Sequence, residues 1–284
     1  MFLAAGLAFV GAASAQTVGM ATSNPGSLYH GIGSAVAKAA NQSGLNTTIQ
    51  PATSPNQYLP LVGANEMELG VCNLEEFLYA YEGTEWFNGR ANPDLRVVGL
   101  IMPLVEAIFV RKDSDIKTIA DLKGKRVAKI QAHPSTNFKI EGVLAFAGLT
   151  WDDVDAIEVP AYSAGIQAVI DGNVDAAGAV VGASLLRELE ASPRGIYWPP
   201  VPADDTEGWD RMNAAAPLFA PSTMTNGPGA TPENPVPMVA YRYPILSVYA
   251  DRSADEVYEL TKAIASTYDL YKKAAPVMAG YDVN

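Results

Sequence analysis

The order of apolar and polar positions along the chain predicts short strands that alternate with helices. Strand-like apolar runs are separated by stretches in which apolar residues recur every three or four positions. The predicted strands cover residues 17–20, 46–52, 68–73, 107–113, 125–130, 156–159, 175–181 and 243–249. The predicted helices cover residues 28–39, 58–64, 74–81, 119–124, 137–147, 163–171, 185–191 and 253–268. Such alternation through short polar loops is typical of an α/β fold with mainly parallel sheets flanked by helices.

One arrangement of elements occurs twice along the chain. The order strand, polar loop, helix, strand, helix, strand is found before residue 82 and again after residue 124. This repeat predicts two similar lobes, the first formed by residues 16–107 and 246–284 and the second by residues 108–245. The chain would cross between them near residues 103–110 and 244–249. The proline-rich stretch 192–237 predicts extended segments and turns, with a short helix near Trp209.

Polar loops follow several of the predicted strands, and ligands of α/β sheets bind at the carboxyl ends of strands. The loop at residues 23–27 opens a helix, whose unpaired N–H groups and dipole favour an anion. The loops at residues 53–56, 135–137 and 182–184 are expected to face the same cleft. The candidate ligand-binding residues are Ser23, Asn24, Gly26, Ser27, Leu28, Tyr29, Thr53, Ser54, Asn56, Asn73, His133, Ser135, Thr136, Asn137, Gly182, Ala183 and Ser184.

A plain structural role remains open for most of these residues. Serine, threonine and asparagine are common helix caps and turn residues. Tyr29 could close over a ligand or pack against the first lobe, and His133 could contact a ligand or lie in a solvated loop. Candidate cations for a second carboxylate are Arg111, Lys129 and Arg242, each with a solvated or structural role as the alternative.

Composition and charge narrow the class of protein. The chain has 284 residues, of which 49% are hydrophobic and 18% charged, as in soluble globular proteins of one large or two medium domains. A formal net charge of −12 disfavours nucleic acid and anionic membrane surfaces as partners. The single cysteine, Cys72, lies in a predicted strand and is expected to be a small buried hydrophobe.

The first fifteen residues predict an export signal. They contain an apolar run and end in Ala13-Ser-Ala15, a small-residue cleavage pattern that precedes Gln16. The basic residues expected ahead of the apolar run are absent, and a buried core helix is the alternative. The prediction is a periplasmic protein whose mature form begins near residue 16.

Motifs for catalysis or cofactor binding are missing from the sequence. It has no G-x-S-x-G nucleophile elbow, no complete dinucleotide or P-loop pattern, and no cysteine and histidine spacing for zinc. The pairs Glu75-Glu76 and Asp152-Asp153 are interpreted as solvated carboxylates. We therefore predict no catalytic residue, no metal and no cofactor.

Several segments together resemble the TAXI family, the periplasmic solute-binding subunits of tripartite ATP-independent periplasmic (TRAP) transporters. The matching segments are residues 22–29, 53–56, 73–75, 79–83, 121–128, 147–149, 171–175 and 257–262. They span almost the whole mature chain in the family's order. The sequence departs from the family's usual pattern at residues 130–136 and 182–186, where ligand selectivity would be decided.

The resemblance implies a two-lobed type II periplasmic binding fold with a ligand cleft between the lobes. It implies that the protein captures a small carboxylate, such as glutamate, glutamine or 2-oxoglutarate, by closing the cleft. We expect the protein to act as a monomer. The TRAP small and large membrane subunits would then receive the solute. Two alternatives remain open: an ABC-type binding protein for a sulfonate, nitrate or a thiamine precursor, and an enzyme built on the same bilobal fold.

Overall fold

The computed structural model describes residues 17–100, 104–241, 244–266, 269 and 272. The predicted signal peptide at residues 1–15, the candidate cation Arg242, the strand start at Tyr243 and the helix end at residue 268 lie outside the described residues. So does residue 103 of the first predicted crossing. No helix in the described part of the chain is long and apolar enough to cross a membrane.

The described residues form strands and helices in the predicted alternation. The strands are β1 (Val18–Thr22), β2 (Thr47–Pro51), β3 (Leu69–Asn73), β4 (Leu95–Leu100), β5 (Leu104–Arg111), β6 (Arg126–Ile130), β7 (Asp155–Val159), β8 (Ala176–Val180), β9 (Ile196–Tyr197), β10 (Phe219–Met224), β11 (Val236–Tyr241) and β12 (Pro244–Tyr249). The helices are α1 (Leu28–Gln42), α2 (Pro55–Gly63), α3 (Leu74–Glu82), α4 (Pro134–Phe146), α5 (Tyr162–Asp171), α6 (Leu185–Ala191), α7 (Thr206–Ala215) and α8 (Ala254–Ser266). Short 3-10 helices cover Glu85–Phe87, Ile119–Leu122 and Trp151–Asp153.

Two sheets divide the chain into two lobes, as the sequence predicts. The first sheet has the strand order β2-β1-β3-β12-β4, and only β12 runs against the other four described strands. The second has the order β10-β11-β5-β8-β6-β7, with β9 paired to β5. In that sheet β5 and β10 run against the other described strands. The trios β2-β1-β3 and β7-β6-β8 have the same parallel arrangement, which is the predicted repeat.

Helices cover both faces of each sheet. In the first lobe, α1 and α8 pack on one face, while α2 and α3 pack on the other. Ser27 begins α1, since its Oγ accepts a hydrogen bond from the backbone N–H of His30 at 3.2 Å. The predicted apolar positions of α1 are then buried, among them Ile32 and Val36. A continuous core joins this face to Val180 and Tyr241 of the second lobe, so the lobes pack against each other.

Some boundaries differ from the sequence prediction. The strands β5 and β12 each bond to a single sheet along their length. Residues 104–107 therefore belong with the second lobe and residues 244–245 with the first, whereas the predicted boundaries cut both strands. Helix α4 begins at Pro134, three residues before the predicted start, because proline is well suited to the first helical position. The predicted helix at residues 119–124 is a 3-10 turn that ends at Leu122.

Candidate ligand-binding cleft

The two sheets point one edge each at a common cleft between the lobes. The strands β1, β3, β6 and β8 end there, at Thr22, Asn73, Ile130 and Val180. Because β5 runs antiparallel to β8, its first residues lie at the edge where β8 ends, and Glu106 pairs with Val180. The lining residues are Ser23, Ser27, Leu28, Tyr29 and Asn73 from the first lobe and Glu106, His133, Thr136, Lys139, Tyr162, Val180 and Tyr241 from the second.

The lobes make direct polar contacts across this cleft. The backbone N–H of Ser184 donates to the carbonyl oxygen of Gly26 at 3.2 Å, and its hydroxyl donates to the same oxygen at 3.3 Å. Gly26 has a φ of +88°, a backbone conformation that suits glycine. About 20 Å³ of the cleft can hold the centre of a water molecule, which is room for about one water. The side chains of the two lobes therefore fill most of the space between them.

A buried ionic cluster joins the lobes beside the cleft. The Nζ atom of Lys139, on α4, lies 2.7 Å from Oε1 of Glu75, on α3, and 3.8 Å from Oε2 of Glu106. Each of these three side chains is at most 5% exposed. Lys139 also donates to the hydroxyl of Ser135 at 3.2 Å, and its ammonium lies 4.2 Å from the centre of the Tyr241 ring. Lys139, the one lysine among the described residues that line the cleft, is thus held by contacts from both lobes.

Burial and charge shift the pKa values of this cluster in opposing directions. Burial raises the pKa of Glu75 and of Glu106, and the nearby Lys139 charge partly opposes both shifts. Burial acts to lower the pKa of Lys139, but the carboxylates of Glu75 and Glu106 more than offset it, so this pKa is raised. Lys139 is therefore charged over the physiological range.

Glu76 belongs to the first lobe and is held by its own neighbours. Its Oε2 atom accepts hydrogen bonds from the backbone N–H of Asn73 at 2.8 Å and from the hydroxyl of Tyr29 at 3.3 Å. Burial, and then the Glu76 charge, raise the pKa of Tyr29 well above its ordinary value. Tyr29 therefore remains a neutral phenol that donates to Glu76 and places its ring in the cleft wall.

His133 is buried in the opposite wall, so the solvated-loop alternative is wrong. Its Nδ1 atom lies 3.1 Å from the hydroxyl of Thr136, and its ring centre lies 5.7 Å from that of Tyr162. Burial, and then the Lys139 charge, lower the pKa of His133 to about 3. The imidazole is therefore neutral at physiological pH. The hydroxyl of Tyr162 accepts a hydrogen bond from the backbone N–H of Val180 at 2.8 Å, which fixes this wall to β8.

Four of the side chains that line the cleft have polar atoms without a hydrogen-bond partner in the described part of the chain. They are the hydroxyl of Ser23, both amide atoms of Asn73, the Oε2 atom of Glu106 and the hydroxyl of Tyr241. All four residues are at most 4% exposed. Buried polar groups in native proteins nearly always have partners, so each such atom requires an explanation. Convergence on one cleft is the arrangement that a polar ligand requires.

The structure brings together part of the predicted site. Seven predicted residues line the cleft: Ser23, Ser27, Leu28, Tyr29, Asn73, His133 and Thr136. Ser135 lies behind them as the acceptor for Lys139, and Gly26 and Ser184 form the contact between the lobes. The other predicted residues, Asn24, Thr53, Ser54, Asn56, Asn137, Gly182 and Ala183, lie outside the lining.

Some of these outlying residues have a visible local role. The hydroxyl of Ser54 donates to the side chain of Asn56 at the start of α2. Asn137 binds both the N–H and the carbonyl oxygen of Ile130, at 2.8 Å each, and so fixes the turn after β6. Ala183 is buried in the core of the second lobe.

Two of the three candidate cations, Arg111 and Lys129, also lie elsewhere. Arg111 pairs with Asp113 at 3.5 Å and donates to the carbonyl oxygen of Val169. The Lys129 ammonium lies 5.4 Å from the centre of the Trp151 ring. Among the described residues the cation of the cleft lining is Lys139, which was not among the predicted site residues, nor were Glu106, Tyr162 and Tyr241.

The interpretation of Glu75 and Glu76 as solvated carboxylates is wrong. Both are buried, because the start of α3 lies at the junction of the lobes rather than on the surface. Although three glutamates surround Lys139, the described residues contain no group of three or more histidine, cysteine, aspartate or glutamate side chains that could hold a metal ion.

Solved structures with this fold are bilobal ligand-binding proteins. An ancestral arginine-binding protein bound to arginine matches with a TM-score of 0.56 at 15% identity, over 93% of this chain and 98% of that one. The periplasmic aliphatic sulphonate binding protein SsuA from Escherichia coli gives 0.54 at 20% identity, over 94% and 82%. The GluR0 ligand-binding core in complex with L-glutamate gives 0.54 at 12% identity, over 93% and 97%.

These matches confirm the predicted two-lobed periplasmic binding fold, and their low sequence identity limits them to the fold. Membership of a family rests on the sequence itself. The model of the NMT1-like family matches residues 20–283, which include both lobes and every residue that lines the cleft. The chain therefore belongs to the NMT1-like family.

Proposed function

We propose that this protein is a periplasmic solute-binding protein that captures a small carboxylate between its lobes. Solved proteins of the same fold bind arginine, L-glutamate or aliphatic sulphonates, all of which are small polar solutes. The TAXI-like segments of the sequence favour the carboxylate class among these. The neutral donors at the start of α1 would hold the carboxylate without a paired arginine.

The observation that carries this proposal is the unpartnered side chain of Asn73. It lies in the cleft wall, is 1% exposed, and neither atom of its amide makes a hydrogen bond in the described part of the chain. A buried amide without partners costs folding free energy, on the order of 1–3 kcal/mol. An amide that binds a solute recovers this cost when the solute supplies the missing hydrogen bonds.

Capture requires the lobes to separate and close again. The space between them holds about one water, and polar contacts join Ser184 to Gly26 and Lys139 to Glu75 across the cleft. Hinge closure around a ligand is the motion that this fold uses.

Delivery to TRAP membrane subunits is part of the proposal and rests on the TAXI resemblance. An ABC-type binding protein for a sulfonate is the alternative, since SsuA has the same fold. A neighbouring gene for a multi-span permease, without a gene for an ATPase, would favour the TRAP assignment. A neighbouring ATPase gene would favour the ABC type.

A thermal-shift and denaturation screen tests the binding function. The purified protein is titrated with monocarboxylates, dicarboxylates, amino acids and sulfonates. A true ligand at about 100 times its Kd should add about 2.7 kcal/mol to the free energy of unfolding. A shift with sulfonates alone would contradict the carboxylate proposal, and recovery of a chemically altered solute would indicate an enzyme.

Two variants connect any ligand to the cleft. Asn73→Ala should weaken binding at least tenfold, and its unfolding without ligand is measured alongside because Asn73 is also the N-cap of α3. Asn213→Ala, at an exposed position of α7, makes the same chemical change outside the cleft and should bind as the wild type does. Equal affinity for all three proteins would place the solute elsewhere.

A further inference from the structure

Among the described residues of the cleft and its surroundings, buried carboxylates outnumber buried cations. Three buried glutamates, Glu75, Glu76 and Glu106, surround one buried lysine, Lys139. Their polar neighbours within the described residues are neutral groups, such as the hydroxyls of Tyr29 and Tyr241 and the imidazole of His133. A buried carboxylate is costly unless it is paired with a cation or accepts hydrogen bonds.

Two of the three glutamates already have close partners. Glu75 lies 2.7 Å from the ammonium of Lys139, and Glu76 accepts hydrogen bonds from the N–H of Asn73 and the hydroxyl of Tyr29. Neither of them lines the open part of the cleft. The Glu75 carboxylate therefore joins the two lobes through Lys139, and the Glu76 carboxylate stabilises the start of α3.

Glu106 is the carboxylate that remains. It lines the cleft, it is 4% exposed, and its Oε2 atom makes no hydrogen bond of normal geometry in the described part of the chain. The Tyr241 hydroxyl lies close to this carboxylate, but its geometry does not satisfy a hydrogen bond either. The Lys139 ammonium is 3.8 Å from the Oε2 atom, beyond hydrogen-bond distance, and is already committed to Glu75 at 2.7 Å. The backbone pairing of β5 with β8 and β11 on either side holds Glu106 at this edge.

We propose that Glu106 receives a cationic N–H group of the solute, so that the ligand is a zwitterion with an ammonium or guanidinium beside its carboxylate. The inference rests on the proposed solute-binding function and names its substrate class. A dicarboxylate or a simple sulfonate would instead bring a second negative charge against a buried carboxylate. The neutral donors of Asn73 and of the α1 start would hold the acidic end of the zwitterion.

One competing arrangement is a protonated Glu106. Burial raises the pKa of Glu106, whereas the Lys139 charge and the nearby Tyr241 hydroxyl lower it. The charges facing it come from Glu75 and Glu76 on α3 and from Lys139 on α4, and the neutral groups from Tyr29 on α1, Tyr162 on α5 and Tyr241 on β11. A protonated Glu106 would donate to an anionic solute and would favour dicarboxylates more strongly as the pH falls.

Pairs of probes that differ only in the ammonium group separate these arrangements. The pairs are L-glutamate and glutarate, L-glutamine and glutaramate, and taurine and ethanesulfonate, measured by isothermal titration calorimetry at pH 7. The proposal predicts that L-glutamate or L-glutamine binds at least 100-fold more tightly than its deaminated partner. A preference in the taurine pair alone would support the cation site at Glu106 but contradict the carboxylate. Equal affinity within each pair, or tighter binding of glutarate than of glutamate, would overturn it while leaving the solute-binding function intact.

Two variants identify the residue responsible. Glu106→Gln keeps the size of the side chain and should reduce the preference within that pair to less than tenfold. Glu141→Gln changes the net charge equally at an exposed position of α4 and should keep the full preference. A full preference in Glu106→Gln, with unfolding like that of the wild type, would overturn the assignment. If no probe of any pair binds the wild-type protein, the solute-binding function itself fails for these classes.

Discussion

The buried contact between Lys139 and Glu75 makes a prediction whose size follows from its burial. The two charges are 2.7 Å apart and their side chains are 4% and 5% exposed. With an effective dielectric constant of 20, their attraction is about 6 kcal/mol, and desolvation costs several kcal/mol for each ion. The pair therefore contributes little in total, but removing one partner leaves the desolvation cost of the other.

Lys139→Met removes the cation and leaves Glu75 and Glu106 buried without one. A buried carboxylate without a cation can become neutral by binding a proton. At pH 7, which is roughly 2.7 pH units above the pKa of an unfolded glutamate, this protonation costs about 1.4 kcal/mol of folding free energy per pH unit. We expect a loss of about 3–5 kcal/mol in the free energy of unfolding. Glu75→Gln should cost less, because Lys139 keeps Glu106 at 3.8 Å. The double variant should lose less than the sum of the two single losses.

The pH dependence provides a second check on the same variant. In Lys139→Met the native state would bind a proton at pH 7 that the unfolded state does not bind. Stability then rises as the pH falls towards the unfolded pKa of glutamate, by up to about 1.4 kcal/mol per pH unit. The deficit relative to the wild type should therefore shrink by about 2–3 kcal/mol between pH 7 and pH 5.

The assay is urea unfolding followed by circular dichroism, with an exposed ion pair as the matched control. Lys125 and Asp115 are also 2.7 Å apart, but their side chains are 30% and 78% exposed. Lys125→Met should cost far less than Lys139→Met, because exposed ion pairs add little to stability. A similarly small loss for Lys139→Met would refute the reasoning, since it would mean that Glu75 is hydrated in solution and that the lobes are apart.

Three further predictions concern other buried positions. Burial lowers the pKa of His133 to about 3, so the free energy of unfolding should fall by up to about 1.4 kcal/mol per pH unit from pH 6.5 towards 3. In urea unfolding, His133→Gln should lose this pH dependence and His30→Gln should keep it. Gly83 and Gly89 have similar φ values, +75° and +78°, but a Cβ atom would lie 2.4 Å from the backbone nitrogen of Ala91 at Gly83 and in open space at Gly89. Gly83→Ala should therefore lower the melting temperature more than Gly89→Ala, and equal decreases would argue against this contact. Cys72 is fully buried, so it should react with Ellman's reagent only in denaturant; rapid labelling of the native protein would contradict its placement.

Much of the fold follows from local patterns in the sequence. The apolar spacing from Leu28 to Ala39 predicts the buried face of α1, and the repeated order of elements predicts two lobes with equivalent parallel trios. The rule that ligands meet the carboxyl ends of parallel strands brings Ser23, Asn73 and His133 to one cleft. These successes share a cause, since each depends on residues that are near in sequence or on a general property of parallel sheets.

The missed residues depend on the topology of the second sheet. Strand β5 enters the second lobe antiparallel to β8, so its first residues, not its last, lie at the cleft. The rule that ligands bind at the carboxyl ends of parallel strands therefore does not predict Glu106. Lys139 did leave a signal, because it lies at helical spacing with the buried positions Thr136, Ile140 and Val143. A lysine on the apolar face of a helix requires a buried partner, but the sequence alone does not identify Glu75 as that partner.

The ionic character of the lobe contact has a consequence for how the cleft works. An apolar contact of the same size would hold the lobes together by burial alone, whether or not a solute were present. In the Lys139–Glu75 pair, the attraction between the charges is about as large as the cost of their desolvation. The pair therefore fixes how the lobes fit together but adds little to the free energy of closure. A solute can shift such a balance only through contacts that exist in the closed form. Under the proposed function Asn73 and Glu106 would offer these contacts, because their polar atoms are buried there without hydrogen-bond partners among the described residues.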